Sequence, residues 1–233
     1  MKYAFITGGG RGLGAGFVEY LSRNGYYVFA GVQTIKPEYK NSDLVEYVKC
    51  NVGDDQSITS CVNQVKTKTV NLNLIVNNAG INKDSATDGH KEQVCTLGQL
   101  KRDKLLSMMN INAISPLMVV QAFHDLLMGS PSFVINISSD RASYHDEYDN
   151  PTGNYGYRAS KAAQNMFTFC STTDLPPNVK IFAVHPGNVK TDMNPGGSQQ
   201  PVNQAEKIMT ITTEWKDEYN GKFMRWDGNY YPL

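Results

Sequence analysis

Seven short runs rich in β-branched and aromatic residues recur along the chain, and longer stretches with helical spacing separate them. Each run is largely apolar on both faces, which is typical of strands buried in a parallel sheet. The predicted strands are Lys2–Thr7, Tyr26–Val32, Val45–Cys50, Leu72–Val76, Ser132–Ile137, Val179–Val184 and Gly221–Trp226.

The intervening stretches carry amphipathic helical patterns. Apolar residues lie at helical spacing from Leu13 to Leu21, before an Asn24-Gly25 stop, and the same spacing returns in Ile58–Val65. Strands that alternate with helices belong to sheets covered on both sides, with right-handed crossovers. The pattern therefore predicts an α/β fold, a single-domain Rossmann-type doubly wound sheet of about seven parallel strands flanked by helices.

Length and composition favour one folded domain that binds a small molecule. The 233 residues are within the range of a single core, and we expect one domain over residues 1–233. Twenty-two basic and 22 acidic residues give a net charge of +0, which disfavours nucleic-acid and polybasic membrane binding.

No unbroken apolar run approaches the length of a membrane span. The N-terminus lacks the pattern of a signal peptide, so we expect a cytoplasmic protein. The four cysteines form no CxxC pair, so no metal site is expected.

The first predicted strand runs into a glycine-rich turn, Thr7-Gly8-Gly9-Gly10-Arg11-Gly12-Leu13-Gly14, which opens a helix. Glycines let backbone N–H groups approach a pyrophosphate, and the helix N-terminus adds partial positive charge. Two registers overlap in this stretch, G-x-G-x-x-A from Gly10 and T-G-x-x-x-G-x-G from Thr7. Both predict a dinucleotide site.

Polar residues follow several other strands at the edge where open α/β sheets bind ligands. These are Asn77-Asn78-Ala79-Gly80, Ser138-Ser139 and the turn from His185 to Thr191, and Asn112 lies in a helical segment of about Leu97–Leu127. Tyr157 and Lys161 are four residues apart, so they share one helix face, where a cation would lower the pKa of a phenol. The loops 140–156 and 192–202 are candidate substrate loops, and the first is alternatively an exposed acidic loop.

In this order, the motifs resemble the short-chain dehydrogenase/reductase family along nearly the whole chain. The C-terminal Asn220–Gly228 and Tyr231-Pro232-Leu233 resemble the small carbonyl-reductase branch related to the proteins called sniffer and C-factor. The resemblance implies a homodimer or homotetramer formed through the helices of about Leu97–Leu127 and Tyr155–Ser171.

The same resemblance implies a catalytic set. Tyr157 would protonate the substrate carbonyl, and Lys161 would lower the pKa of Tyr157 and hold the nicotinamide ribose. Ser139 would polarise the carbonyl, with Ser138 as the alternative. Asn112 would bend its helix and hold a water that feeds protons to Lys161, with Asn110 as the competing residue.

Cofactor residues are implied at the glycine turn and at the following strand ends. They are Gly8, Arg11, Gly12, Leu13, Gly14, Gln33, Asn51, Val52, Asn78, Ala79, Gly80, Tyr157, Lys161, Pro186, Gly187, Val189 and Thr191. No carboxylate follows the second strand, where NAD users hold the ribose hydroxyls, and Arg11 could pair with a 2′-phosphate. This favours NADP(H) over NAD(H), although Gln33 replaces the arginine common in NADP-using relatives.

The function expected from these residues is NADPH-dependent reduction of a small ketone, aldehyde or quinone. Two alternatives stay open at this point. One is an NAD-linked alcohol or hydroxysteroid dehydrogenase, and the other is a non-catalytic nicotinamide-binding regulatory protein.

Overall fold

A computed structural model of the chain describes residues 1–82, 97–145 and 153–232. Its seven strands form one parallel sheet in the order β3-β2-β1-β4-β5-β6-β7. The strands are β1 Lys2–Thr7, β2 Tyr26–Val32, β3 Val45–Lys49, β4 Leu74–Asn77, β5 Ser132–Ile137, β6 Val179–His185 and β7 Phe223–Arg225. The predicted fold class is confirmed, and three strands have the predicted bounds.

Helices cover both faces of this sheet. In the described ranges they are α1 Gly12–Arg23, α2 Asp55–Lys66, α3 Arg102–Met109, α4 Ser115–Ala122, α5 His124–Met128, α6 Tyr155–Cys170 and α7 Pro201–Thr213. A π-helical turn, Asn110–Ile114, joins α3 to α4 without a break. Short 3₁₀ turns lie at Asp140–Ala142 and Asp217–Tyr219.

Two predicted boundaries outside the strands also differ from the structure. The helix expected from Leu97 begins at Arg102, because Leu97–Gln99 form a turn around Gly98, whose φ is +96°. The loop expected over 192–202 ends at Gln200, because Pro201 occupies the first position of α7, where its fixed φ suits a helix start. Much of the loop predicted at 140–156 lies outside the described residues.

Two apolar cores lie on opposite faces of the sheet. On one face α1 and α7 pack together, with Phe17 and Ile208 fully buried against β1 and β6. On the other face α2, α4 and α5 cover the strands, and Phe5 packs against Phe123 with tilted rings whose centroids are 4.5 Å apart. The strands are therefore apolar on both sides, as the sequence pattern predicted.

The continuous helical stretch Arg102–Ala122 has the length and the mean hydropathy, 1.4, of a membrane span. It meets this criterion by length and composition only. Met108 and Val119 of this stretch are nevertheless buried, and Asn112 at its centre is hydrogen-bonded inside the protein. Core helices of folded domains have the same composition.

The order of the strands determines where a ligand can bind. The chain runs outward from β1 to β2 and β3 and then returns to place β4 on the other side of β1. The crevice at this reversal lies at the carboxyl ends of β1 and β4, which is the usual ligand site of open α/β sheets. The glycine turn and the Asn77–Gly80 segment both start there.

Candidate active site

The glycine turn after β1 has a shape that requires glycine. Gly8 and Gly12 have φ values of +66° and +54°, which L-residues with side chains rarely adopt. A Cβ on Gly14 would collide with the carbonyl oxygen of Gly8. Arg11, the N-cap of α1, makes no side-chain capping hydrogen bond. The first backbone N–H groups of α1 thus lack a side-chain cap, and the turn is an open cradle that suits a pyrophosphate.

Thr7 and Asn78 tie this turn to the loop after β4. Oγ1 of Thr7 accepts hydrogen bonds from the backbone N–H groups of Asn78 and Ala79, both at 3.0 Å. The side-chain amide of Asn78 donates back to the carbonyl oxygens of Thr7 and Gly8, at 3.1 and 3.2 Å. The amide hydrogens of Asn78 therefore shape the glycine turn itself.

The turn after β6 approaches the same cradle. A Cβ on Gly12 would lie 3.2 Å from Cγ2 of Thr191, so the two loops are in contact. Arg11 pairs with Asp192 at 3.0 Å, and both side chains are largely exposed. In the same segment, Gly187 has a φ of +77° and Val189 is buried.

The remaining residues predicted to bind a cofactor divide into backbone and side-chain candidates. Leu13 and Val52 face the apolar cores, so only their backbone is open to a ligand. Asn51 follows β3 and accepts a hydrogen bond from the N–H of Gly53 at 3.3 Å. Gln33 is exposed after β2, and Pro186 lies half-buried after β6.

Tyr157, on the first turns of α6, lies beside the loop that follows β5. Its phenol faces the side chain of Ser139. Burial raises the pKa of this phenol above its ordinary value, the Ser139 contact lowers it, and the Asp140 carboxylate raises it. The prediction that Lys161 lowers the pKa of Tyr157 is therefore wrong for the protein without nucleotide, because burial of the phenol outweighs the other contributions. The hydroxyl of Ser139 donates to Oδ1 of Asp140 at 2.8 Å. The alternative residue, Ser138, is turned into α6, where its hydroxyl donates to Oδ1 of Asn165 at 2.6 Å.

Lys161 lies one turn further along α6 and is 4% exposed. Its amine donates to the carbonyl oxygen of Ile137 at 2.7 Å and to Oε1 of Gln164 at 3.0 Å. Burial lowers the pKa of Lys161 to about 7, because the charged form loses its hydration. The amine therefore changes protonation near neutral pH.

Asn112 occupies the π-helical turn and is fully buried. Its side chain pairs with the backbone of Ile81, accepting from N–H and donating to the carbonyl oxygen, both at 2.8 Å. A Cβ on Gly80 would lie 3.4 Å from Oδ1 of Asn112 and 3.8 Å from Nζ of Lys161. Asn112 and Lys161 thus face one small space, whereas the competing Asn110 points at Gly53.

Three residues at the site were missed by the sequence analysis. Tyr39 lies over the glycine turn, where a Cβ on Gly10 would collide with its hydroxyl, but its polar segment has no periodicity to indicate this. Asp140 directly follows Ser139, and its N–H donates to Nδ1 of His185 at 3.0 Å. The third, Gln164, lies three residues after Lys161, a spacing that could have drawn attention to it.

Comparison with known proteins gives consistent matches. The family model for short chain dehydrogenases matches residues 2–201. An uncharacterized oxidoreductase of Schizosaccharomyces pombe is 26% identical over 260 residues, covering 100% of this chain and 98% of that protein. The carbonyl reductase Sniffer of Drosophila melanogaster superposes with a TM-score of 0.86 at 26% identity, covering 100% of both chains. The NADPH-bound carbonyl reductase from chicken fatty liver superposes with a TM-score of 0.84 at 26% identity, covering 100% of this chain and 99% of that one.

The buried amine predicts a pH dependence of stability. The folded protein releases the Lys161 proton at about pH 7, whereas the unfolded chain holds it to about pH 10.4. Between these values the unfolded state binds more protons, so the free energy of unfolding rises with pH, by at most about 1.4 kcal/mol per pH unit. In urea unfolding, we expect the stability of the wild type relative to Lys161→Met to increase between about pH 7 and pH 9.5.

The matched control is Lys40→Met, which removes an exposed lysine. Its stability should stay parallel to that of the wild type over the same pH range. A constant difference between wild type and Lys161→Met would contradict the burial of a titrating amine.

Proposed function

The chain belongs to the short-chain dehydrogenase/reductase family of NAD(P)-dependent oxidoreductases, and on that basis we propose that it reduces a small ketone, aldehyde or quinone with NADPH. The observation that carries this proposal is the pairing of Tyr157 with Ser139 one helical turn from the buried amine of Lys161. When bound, the nicotinamide supplies the hydride that reduces the carbonyl carbon.

Tyr157 is the proton donor of the proposed reaction. Its raised pKa keeps the phenol protonated at neutral pH, ready to donate to the carbonyl oxygen as negative charge develops there. The phenolate left behind is stabilised by the adjacent ammonium of Lys161. Ser139 polarises the carbonyl by turning its hydroxyl from Asp140 to the substrate oxygen.

The described residues fit a dinucleotide that carries a 2′-phosphate. The uncapped start of α1 and the glycine cradle suit the pyrophosphate. The two residues that follow β2 are Gln33 and Thr34, which are uncharged. An acidic residue there would repel a phosphate on the adenosine ribose. Among the described residues Arg11 pairs with Asp192, in an exposed ion pair of the kind that contributes little to stability, so the guanidinium can exchange this partner for a phosphate. The chicken carbonyl reductase is bound to NADPH, which supports the same cofactor.

We further propose that the protein is a homodimer formed through α4 and α6. Leu117, Met166 and Phe169 on these neighbouring helices are exposed, as is Ile114 in the π-helical turn directly before α4. Several exposed apolar side chains on adjacent elements favour an interface over a solvated face. A second copy of the same helix pair would cover it by two-fold symmetry.

Removing the phenolic hydroxyl tests the proposed reaction. Against a panel of ketones, aldehydes and quinones, we expect Tyr157→Phe to lower kcat by about 10²- to 10⁴-fold, because the general acid is lost. Binding of NADPH, measured by fluorescence, should change little.

Tyr155→Phe is the matched control, since Tyr155 is an exposed residue of the same helix. It should keep the wild-type rate. Retained turnover in Tyr157→Phe would exclude the phenol as the acid, and NADPH binding by the wild type without reduction of any carbonyl would favour a regulatory protein.

Arg11 tests the choice of nucleotide. We expect Arg11→Ala to weaken NADPH binding by about ten-fold or more while leaving NADH binding unchanged, because a charge-assisted contact to the 2′-phosphate is lost. Asp192→Ala should strengthen NADPH binding, since it frees the guanidinium.

Arg23→Ala, at the far end of α1, controls for the loss of a positive charge. It should bind both nucleotides like the wild type. Equal weakening of both nucleotides by Arg11→Ala would contradict the assignment, and tighter binding of NADH than NADPH by the wild type would support the NAD-linked dehydrogenase.

The dimer is tested by mass in solution. We expect the wild type to have twice the monomer mass of 25.9 kDa in light scattering, and the double variant Met166→Lys/Phe169→Lys to be a monomer, because four buried charges would oppose the two-fold contact. Val70→Lys changes an exposed apolar residue outside these helices and should stay dimeric. A monomeric wild type, or a dimeric double variant, would refute this interface.

A further inference from the structure

Gln164 continues the catalytic face of α6 into the protein interior. It lies seven residues after Tyr157 and three after Lys161, a spacing that places the three side chains on one side of the helix. Its Oε1 atom is 3.0 Å from Nζ of Lys161, and the residue is 1% exposed. Water therefore has little access to this contact.

The orientation of this amide is determined by its neighbour. An ammonium group only donates hydrogen bonds, so Gln164 must present its oxygen to Lys161. Its Nε2 atom is then buried with no hydrogen-bond partner in the described part of the chain. An unpaired buried donor costs stability, and an apolar side chain would fill the same space without that cost. Packing alone therefore does not account for a glutamine at this position.

The two oxygen atoms that accept hydrogen bonds from Lys161 also determine where its remaining N–H group points. An ammonium has three N–H groups, and two of them are used by the carbonyl oxygen of Ile137 and by Gln164. The third is left for the side of the site where Gly80 lies, since a Cβ there would be 3.8 Å from Nζ. Gly80 is one of the residues predicted to bind the cofactor.

We propose that Gln164 is a positioning residue for Lys161: its carbonyl oxygen stabilises the protonated amine in the buried site and directs the remaining N–H toward the reacting groups. The use of that charge in catalysis rests on the proposed function. The contact itself is a property of the folded protein without nucleotide or substrate.

The titratable groups around the amine act on other atoms. Burial alone accounts for the lowered pKa of Lys161. Asp140 and Arg141, on the turn after β5, act on the phenol of Tyr157, and His185, at the end of β6, lies next to Asp140. The described part of the loop after β4 and the π-helical turn present uncharged groups to the amine.

The ionisation of Lys161 is measurable directly in the protein without nucleotide. Lysine labelled with ¹³C at Cε gives one resonance per residue, and that of Lys161 is identified by its absence in Lys161→Met. We expect the titration midpoint of this resonance to fall by about one pH unit in Gln164→Met, because a hydrogen bond to a charged group is lost. In Gln164→Glu the midpoint should rise above that of the wild type, because a carboxylate favours the ammonium.

Gln204→Met is the matched control. Gln204 is also a fully buried glutamine, but it lies on α7, on the other face of the sheet, and has no side-chain partner in the described part of the chain. Its replacement should leave the Lys161 midpoint unchanged. If Gln164→Met does not fold, Gln164→Glu decides alone: a raised midpoint supports the proposal, and an unchanged one overturns it.

The pH profile of carbonyl reduction gives a second measurement. The alkaline limb of kcat should move to lower pH in Gln164→Met and to higher pH in Gln164→Glu, a reversal that a purely structural role would not produce. Unchanged Lys161 midpoints in both variants would overturn the positioning role and leave the proposed function intact. If the Lys161 midpoints shift as expected but the protein reduces no carbonyl, the positioning role is supported and the proposed function is overturned.

Discussion

Burying the charged amine of Lys161 costs free energy, because the ammonium loses its hydration. Two hydrogen bonds within the site offset part of this free energy. The pKa of Lys161 falls to about 7, so small changes in its contacts alter its charge near neutral pH. The carbonyl oxygens of Ile137 and Gln164 favour the ammonium, whereas burial opposes it. The phenol of Tyr157 has a raised pKa for the same reason, since burial disfavours its ionised form. The low polarity around the two groups therefore favours the neutral form of each.

A second set of contacts makes one site from segments that are distant in sequence. Thr7 and Asn78 are 71 residues apart, yet they exchange hydrogen bonds because β1 and β4 are neighbours in the sheet. Glycine alone could form the strained turn that follows, but the amide of Asn78 holds two of its carbonyl groups in place. The glycine turn and the loop after β4 are thus held together by the strand order.

The sequence predicted the sheet well because strands buried on both faces leave an unambiguous apolar pattern. It also predicted which side chains lie at the sheet edge, since parallel strands end on one side. The sequence did not predict features that depend on tertiary contacts. Nothing local shows that the helix expected at Leu97 begins five residues later, or that Tyr39 folds over the glycine turn. Asp140 and Gln164 lie close in sequence to Ser139 and Lys161, but the hydrogen bonds to these residues are visible only in the folded structure.

The π-helical turn at Asn110–Ile114 has a consequence for chain length. Such a turn holds about one residue more than an α-helical turn. Because the wide turn takes up this extra residue while the flanking helices keep their facing, deleting one residue would close it to a regular α-helical turn. The position that turns the side chain of Asn112 toward the backbone of Ile81 would then be lost. Insertions and deletions are therefore more damaging here than substitutions, and an alignment that opens a gap in this segment would misplace the asparagine.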